Sequence, residues 1–468
     1  MRRLGVAVVA ILLIAGCADE VDRGTSSVAS PTPQMGTSTA TGEDPAASVV
    51  TVDPSTVPRS TSPTVNPATA EYVESFEFVW ATINERYFDP GFGGVDWEGV
   101  HDQYLPEITA ARTDLDAFLL VNNMLWELGV SHIGLIPADD PGQLNPLLSS
   151  EGELGFDVRL LDGEWVITEV KSGSAAAAAG LGVGHVLESI DGQAPDQIAT
   201  LALSLPPRHE RGVLSGKMIS VRSALYDEIG VTVRVGYRDS ADRSMETDLT
   251  FGPRQATAWS SEMLPGVPPA FTIIEVDRKD GDIGYLRFDA FGDGMLAPLL
   301  TAIDELQEAP GLIIDLRGNE GGVFDVRKPL IDRLVDEPAL IWTYRWRNSQ
   351  EDVHATPAEV TYDGPLVVLV DVLSASSAEE FAGALQAMGR AYVIGERTAG
   401  RVLVADLVEV PNGALMIYPV GQSMTSDGTV LEGHGVIPDL PVAVHRSDLL
   451  VGKDPPLQAA IDYLRSAN

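Results

Sequence analysis

The chain holds one cysteine, Cys17, and Lys and Arg number only 31 against 68 Asp and Glu. A single thiol excludes any intramolecular disulfide. The resulting net charge of −37 argues against a nucleic-acid partner, which needs clustered cations to displace phosphate counterions. It equally argues against docking on anionic lipid through a basic surface. No His, Cys, Asp and Glu residues recur at metal-ligand spacing, so neither a metal nor another cofactor is expected. Beyond the N-terminus no apolar run is long enough to span a membrane, and no internal repeat is present. What remains is an acidic chain of 468 residues, too long for one simple core, for which two or three domains are expected.

The N-terminus reads Met1-Arg2-Arg3, an apolar run from Leu4 to Ile14, then Ala15-Gly16-Cys17. A basic start, a short apolar core and small residues before a boundary describe a signal peptide over 1–17. "IAGC" resembles a bacterial lipobox, which implies lipidation of Cys17 and a lipid anchor on the extracytoplasmic side of a bacterial membrane, in the cell envelope. An ordinary secretory signal with a chance cysteine is the alternative. Residues 18–68 are rich in Ser, Thr, Pro, Ala and Gly and bury too little apolar surface to fold, so a disordered tether is expected.

Further on, the texture changes three times. In "EYVESFEFVWATINERYF" Val73, Phe76, Val79, Trp80, Ile83 and Tyr87 fall at helical spacing. Two more helical stretches follow, giving a helical N-terminal domain over 69–150 that carries Ser131-His132 just past a helix end. Residues 151–252 read as β-rich: "FDVRLLDGEWVITEV" is a hairpin turning at Asp162-Gly163. Ser174 caps a short Ala helix that Gly180 ends, and the next strand runs to a turn at Asp191-Gly192. This order resembles a PDZ domain, which implies that Leu154, Gly155 and Phe156 stand where that family holds a peptide C-terminus on backbone amides. From 253 to 468, apolar strands alternate with amphipathic helices, as in an α/β layered core.

Two turns in that core carry candidate chemistry. In "VVLVDVLSASSAEEFAGALQAMGR" a buried strand gives way to a helix burying Phe381, Ala384, Leu385 and Met388, with Ser374, Ser376 and Ser377 between. Serine is a common helix N-cap, but a serine held between a rigid strand and a helix also suits a nucleophile elbow. In "DLRGNEGG" a second buried strand ends at Gly321-Gly322, whose backbone N–H groups lack side-chain cover. Parallel strands share one C-terminal edge, so the two turns are expected to face each other.

The order of helical segment, PDZ-like region, "DLRGNEGG", "SASSAEEFAGALQAMGRAYVIGE" and "EGHGVIPD" resembles the tail-specific, or C-terminal processing, serine proteases, including the tricorn core protease and the interphotoreceptor retinoid-binding protein repeats. The resemblance covers about residues 70 to 465. It implies an α/β multidomain chain with a crotonase-like α/β catalytic core. It places the nucleophile at Ser376, in the family's S-A-S-x-x-E pattern, and the oxyanion hole at the Ser377 N–H plus one from Gly321 or Gly322. The family's usual lysine base and its supporting glutamine fall on Arg401 and Ala405, and arginine stays protonated in proteins. The tricorn-like branch instead implies His132 as base, Ser131 bridging and Glu432 orienting; His434, near the site in sequence, is a second-choice base. A histidine base implies activity fading below about pH 6.

The expected function is therefore an exported serine endopeptidase cutting peptides or unfolded protein tails. With the lysine absent, the alternative is a catalytically inactive member binding lipophilic ligands or peptide C-termini, as the retinoid-binding relatives bind their ligands.

Overall fold

A computed structural model of the chain describes residues 67–137, 146–200, 209–259 and 270–467. The lipidation reading at Cys17, the signal peptide and all but the last two residues of the expected tether lie outside them.

The first helix runs Pro67–Arg86, two residues earlier than expected; proline suits a first helical turn, where its missing N–H has no partner to lose. Phe76, Val79 and Ile83 are fully buried on one face. Asp96 and Thr113 cap the next two helices, Trp97–Ala110 and Asp114–Trp126, each accepting a backbone N–H. The apolar faces of all three helices close over Leu403, Met416 and Tyr418 from the far end of the chain.

The strand that follows, Gly134–Ile136, does not stay with its helices. It pairs antiparallel with Leu415–Thr425, Gly134 opposite Ile417, and so joins a five-stranded sheet with Leu340–Trp346, Gln350–His354 and Leu403–Glu409. A boundary at residue 150 would cut this sheet; the tripeptide is too short and too uniformly apolar for its distant partner to be read from sequence.

Five strands form an antiparallel sheet in the order Phe156–Leu161, Glu164–Val170, Val186–Ile190, Thr232–Arg238, Ser244–Thr250. The hairpin turns at Asp162 (φ 52°) and Gly163 (φ 82°), as two consecutive left-handed residues demand in a two-residue loop. Ser174 Oγ accepts the Ala177 N–H at 3.1 Å, and Gly180 leaves the helix at φ 83°. The helix Glu210–Ser223 packs on this sheet. Its core also takes in Val372 and Leu373 from the serine turn.

In the expected carboxylate-holding loop the Leu154 amide is already paired. The side chains of Leu154 and Phe156 are core residues. The Leu154 N–H donates to the Leu225 carbonyl at 3.1 Å and the Gly155 carbonyl accepts from Lys171. Internal pairing thus withdraws the Leu154 amide from the set that would hold a peptide C-terminus.

The third large sheet has six strands, Ile274–Lys279, Ile283–Phe288, Leu312–Asp315, Leu366–Val370, Tyr392–Gly395 and Leu440–Pro441. Only the first pair is antiparallel. Leu312–Asp315 and Leu366–Val370 are buried at every residue, as central strands covered on both faces must be. The two turns singled out above leave the C-terminal ends of these adjacent strands. Among the described residues no helix is long and apolar enough to cross a membrane.

Leu135, 2 % exposed, lies in the seam between helices and sheet. Leu135→Ala is expected to cost about 2–5 kcal/mol, read as a lower urea midpoint at unchanged slope. Leu115→Ala, at a position 51 % exposed, should change stability by no more than about 0.5 kcal/mol.

Candidate active site

The three serines of the turn have different surroundings. Ser374 is fully buried; its hydroxyl donates to the Leu316 carbonyl at 2.8 Å and accepts the Asp371 N–H at 3.0 Å. The Ser377 hydroxyl donates to the Gly322 carbonyl at 2.8 Å. Ser376 Oγ instead faces an imidazole, 3.3 Å from His132 Nε2.

Ser376 is the N-cap of the helix Ser377–Ala387, at φ 53° and ψ −120°. An L-residue pays on the order of 1–3 kcal/mol for such a backbone. The strain is held from both sides: the Ser376 N–H donates to the Arg401 carbonyl at 2.8 Å and to Glu379 Oε2 at 3.2 Å. Glu379 is fully buried. It also accepts from the N–H groups of Gly400 and Arg401, at 2.7 and 2.9 Å, and from the Thr398 hydroxyl. Burial raises its carboxyl to about 7 against those donors.

His132 arrives from 244 residues away. Its Nδ1 is 2.7 Å from Ser131 Oγ, which donates to Glu432 Oε2 at 2.9 Å. A hydroxyl has one proton to give. With that proton on Glu432, Ser131 Oγ accepts from Nδ1–H, leaving the Nε2 lone pair toward Ser376. Glu432 also accepts the backbone N–H groups of Ser131 and Val402, at 2.9 and 2.7 Å. Burial pushes its carboxyl up, and these donors with Arg401 oppose the rise.

Burial, and then the Arg401 guanidinium, lower His132 to about 3. The sequence-based expectation of protonation near pH 6 is corrected by this surrounding: in the closed site the ring stays neutral far below that. Arg401 is itself buried, with Nε and Nη1 unpartnered among the described residues. His434 is exposed, its Nδ1 3.0 Å from the Glu432 carbonyl, and it does not line the cavity at Ser376.

The glycine pair lies against the serine. A Cβ on Gly321 would stand 2.7 Å from Ser376 Cβ, and one on Gly322 would stand 2.3 Å from the Phe291 carbonyl oxygen; neither position admits a side chain. The Gly321 N–H donates to Asn319 Oδ1 at 2.9 Å, which removes Gly321 from the candidate oxyanion donors and leaves Gly322 with Ser377. Asn319 was missed from sequence. Its side-chain amide also donates to the Phe288 carbonyl, and its backbone carbonyl accepts the Ala375 N–H, so one buried residue joins both turns.

A buried charge chain from the β-rich segment reaches the same two turns. Arg222 bonds Asp157 at 2.8 Å and Glu320 at 2.9 Å; Arg159 bonds Asp157 at 2.7 Å and Asp371 at 3.3 Å. Glu320 directly precedes the glycine pair. Asp371 Oδ1 accepts the N–H groups of Gly318, Leu373 and Ser374. No sequence signal marks these contacts, since each partner is an ordinary charged residue in a separate segment. Among the described residues no cluster of His, Cys, Asp and Glu is arranged to hold a metal ion.

A hydroxyl beside a neutral, oriented imidazole, at a helix N-terminus and next to the Gly322 and Ser377 backbone N–H groups, is equipped for acyl transfer. Comparisons with known proteins agree with that chemistry. Residues 282–442 match the model of peptidase family S41, and residues 68–126 match the tricorn protease C1 domain. The chain is 25% identical to a carboxyl-terminal-processing protease of Synechocystis sp., over 82% of this chain and 85% of that protein. It is 26% identical to tricorn protease homolog 1 of Streptomyces coelicolor, over 90% of this chain and 37% of that one. The fold is that of a photosystem II D1 C-terminal processing protease, with a TM-score of 0.55 and 21% identity over 84% of this chain and 97% of the other. On these matches residues 282–442 resemble the peptidase domain of family S41, and the chain as a whole is similar to carboxyl-terminal-processing proteases.

Proposed function

We propose that the protein is an exported serine endopeptidase acting on peptides or unfolded protein tails, with Ser376 as nucleophile and His132 as base. The observation that carries the assignment is the unbroken hydrogen-bond chain Ser376–His132–Ser131–Glu432. Nε2 takes the Ser376 proton as Oγ attacks the scissile carbonyl. The imidazolium so formed is balanced by the Glu432 carboxylate through the Ser131 hydroxyl. The N–H groups of Gly322 and Ser377 receive the oxyanion, and the helix N-terminus adds its partial positive charge. Nε2 then returns the proton to the leaving amine, and water repeats the cycle on the ester. No lysine takes part, and Arg401 contributes its backbone carbonyl to the turn.

We read residues 151–252 as a PDZ-like domain and the C-terminal region as a crotonase-like core. Through Arg222 and Arg159 the former braces the two turns of the site. The N-terminal sequence supports a signal peptide and lipid anchoring at Cys17, on the extracytoplasmic side of a bacterial membrane.

Ser376→Ala is expected to lower peptide hydrolysis by at least about 1,000-fold with the thermal midpoint nearly unchanged. A fluorophosphonate should label the wild type at Ser376 and fail to label His132→Ala. Full turnover in Ser376→Ala would refute the assignment, and an unlabelled wild type that binds lipophilic ligands would make the protein a carrier.

The depressed His132 gives a second test. Its unfolded form binds a proton near pH 6.5 and its folded form only near 3, so the unfolded state holds more protons between. The stability it contributes is complete above about pH 6.5 and is lost as pH falls toward 3. Glu379, raised to about 7, acts with the opposite sign between about 4.3 and 7, so the His132 share is read as a difference between proteins. The thermal midpoint of His132→Gln should fall less steeply than that of the wild type from pH 6.5 to pH 4.5; parallel curves would contradict the buried neutral ring.

A further inference from the structure

A second cavity, of about 550 Å³, is lined by neither Ser376 nor His132. Its floor is the carboxyl edge of the six-stranded sheet: Arg287, Asp315, Val370 and Glu396 stand at or just past the ends of four neighbouring parallel strands, where open α/β sheets commonly hold ligands. The hairpin of the β-rich segment forms one wall through Arg159, Leu161 and Glu169, and the C-terminal segment forms another through Val442, Val444 and Leu449. The volume is that of a small-molecule site.

Most charges on the lining are paired. Asp157 and Asp371 bond Arg159 at 2.7 and 3.3 Å, Glu169 bonds Arg287 at 3.1 Å, and Asp315 and Asp454 bond Arg317 at 2.6 and 2.8 Å. Two are left among the described residues. Lys453 is exposed and keeps its hydration. Glu396 is partly buried, and no donor bonds its carboxylate. Its backbone is fixed, the N–H donating to the Val370 carbonyl at 3.1 Å. Burial, and then Asp371, push its carboxyl up, while Arg211, Arg159 and His445 act the other way.

Acyl transfer at Ser376 does not use this carboxylate. A carboxylate drawn from water without a partner is costly, and a cation within reach offsets that cost through a charge-assisted hydrogen bond. An anion would meet an unpaired like charge. A neutral apolar molecule would dehydrate Glu396 further and leave it unpaired. Leu161, Val372, Val442, Val444 and Leu449 supply apolar surface for a hydrocarbon body. We infer that this cavity binds a small organic cation, a primary amine or guanidinium on an apolar body, with Glu396 as its counter-ion. The inference does not depend on the hydrolase reading above, because no residue of the Ser376 site takes part.

The test is calorimetric titration of the full-length protein near neutral pH with phenethylamine, phenylethanol and phenylacetate, which share an aromatic body and differ in charge. The amine is expected to bind with a Kd below about 1 mM, roughly 10-fold or more tighter than the alcohol, and phenylacetate to bind more weakly than either. Glu396→Gln should weaken the amine by about 10-fold and leave the alcohol unchanged. Its thermal midpoint should equal or exceed that of the wild type, since the change removes a charge that has no partner. Val444→Phe, which fills part of the cavity, should weaken amine and alcohol together. Equal affinity for amine and alcohol overturns the inference. So does amine binding that neither variant alters, or a folded wild type that takes up no amine. A lowered midpoint in Glu396→Gln would show that the carboxylate has a partner within the protein, and overturns it too.

Discussion

One carboxylate holds the site together. Glu432 accepts three hydrogen bonds, from the Ser131 N–H, the Ser131 hydroxyl and the Val402 N–H. It thereby joins a segment that follows the N-terminal helices to the loop that supports Ser376. Its partial burial makes those bonds matter more than they would in water, because an unpaired carboxylate there would be penalised. With Glu432 in place the Ser131 hydroxyl has only one way to point, and the His132 ring then has one tautomer and one free nitrogen. The reactive geometry follows from a chain of single hydrogen-bonding choices.

A second constraint is the strained backbone of Ser376. Positive φ at a non-glycine residue persists only where its surroundings over-determine it. Here Glu379 and the Arg401 carbonyl fix the Ser376 N–H, while Asn319 and Asp371 fix the two neighbouring turns. The β-rich segment enters the same arrangement through Arg222 and Arg159 and through Val372 and Leu373, which bury in its core. This region is better described as a brace than as a separate module on a string.

Arg401 sets the electrostatics around His132. Arg401 cannot take a proton, and it disfavours charge on His132. Glu320, Glu432 and Glu379 surround it and act in the opposite sense on its own charge. The imidazole is therefore held neutral, with negative charge close by.

Much of the fold was legible because local chemistry is short-range. The helical spacing of Phe76, Val79 and Ile83, the Asp162-Gly163 turn, the Ser174 cap and the fully apolar strands at 312–315 and 366–370 each follow from neighbours a few residues apart. The motif around Ser376 was legible too, since a strand, a serine turn and an amphipathic helix are adjacent in the chain. What composition and spacing could not supply were contacts between distant segments. The pairing of Gly134 with Ile417 puts His132 at Ser376, Asn319 takes the Gly321 N–H, Leu225 takes the Leu154 N–H, and burial carries His132 far from its ordinary protonation range. Those outcomes depend on which surfaces exclude water together, and only the packed tertiary structure decides that.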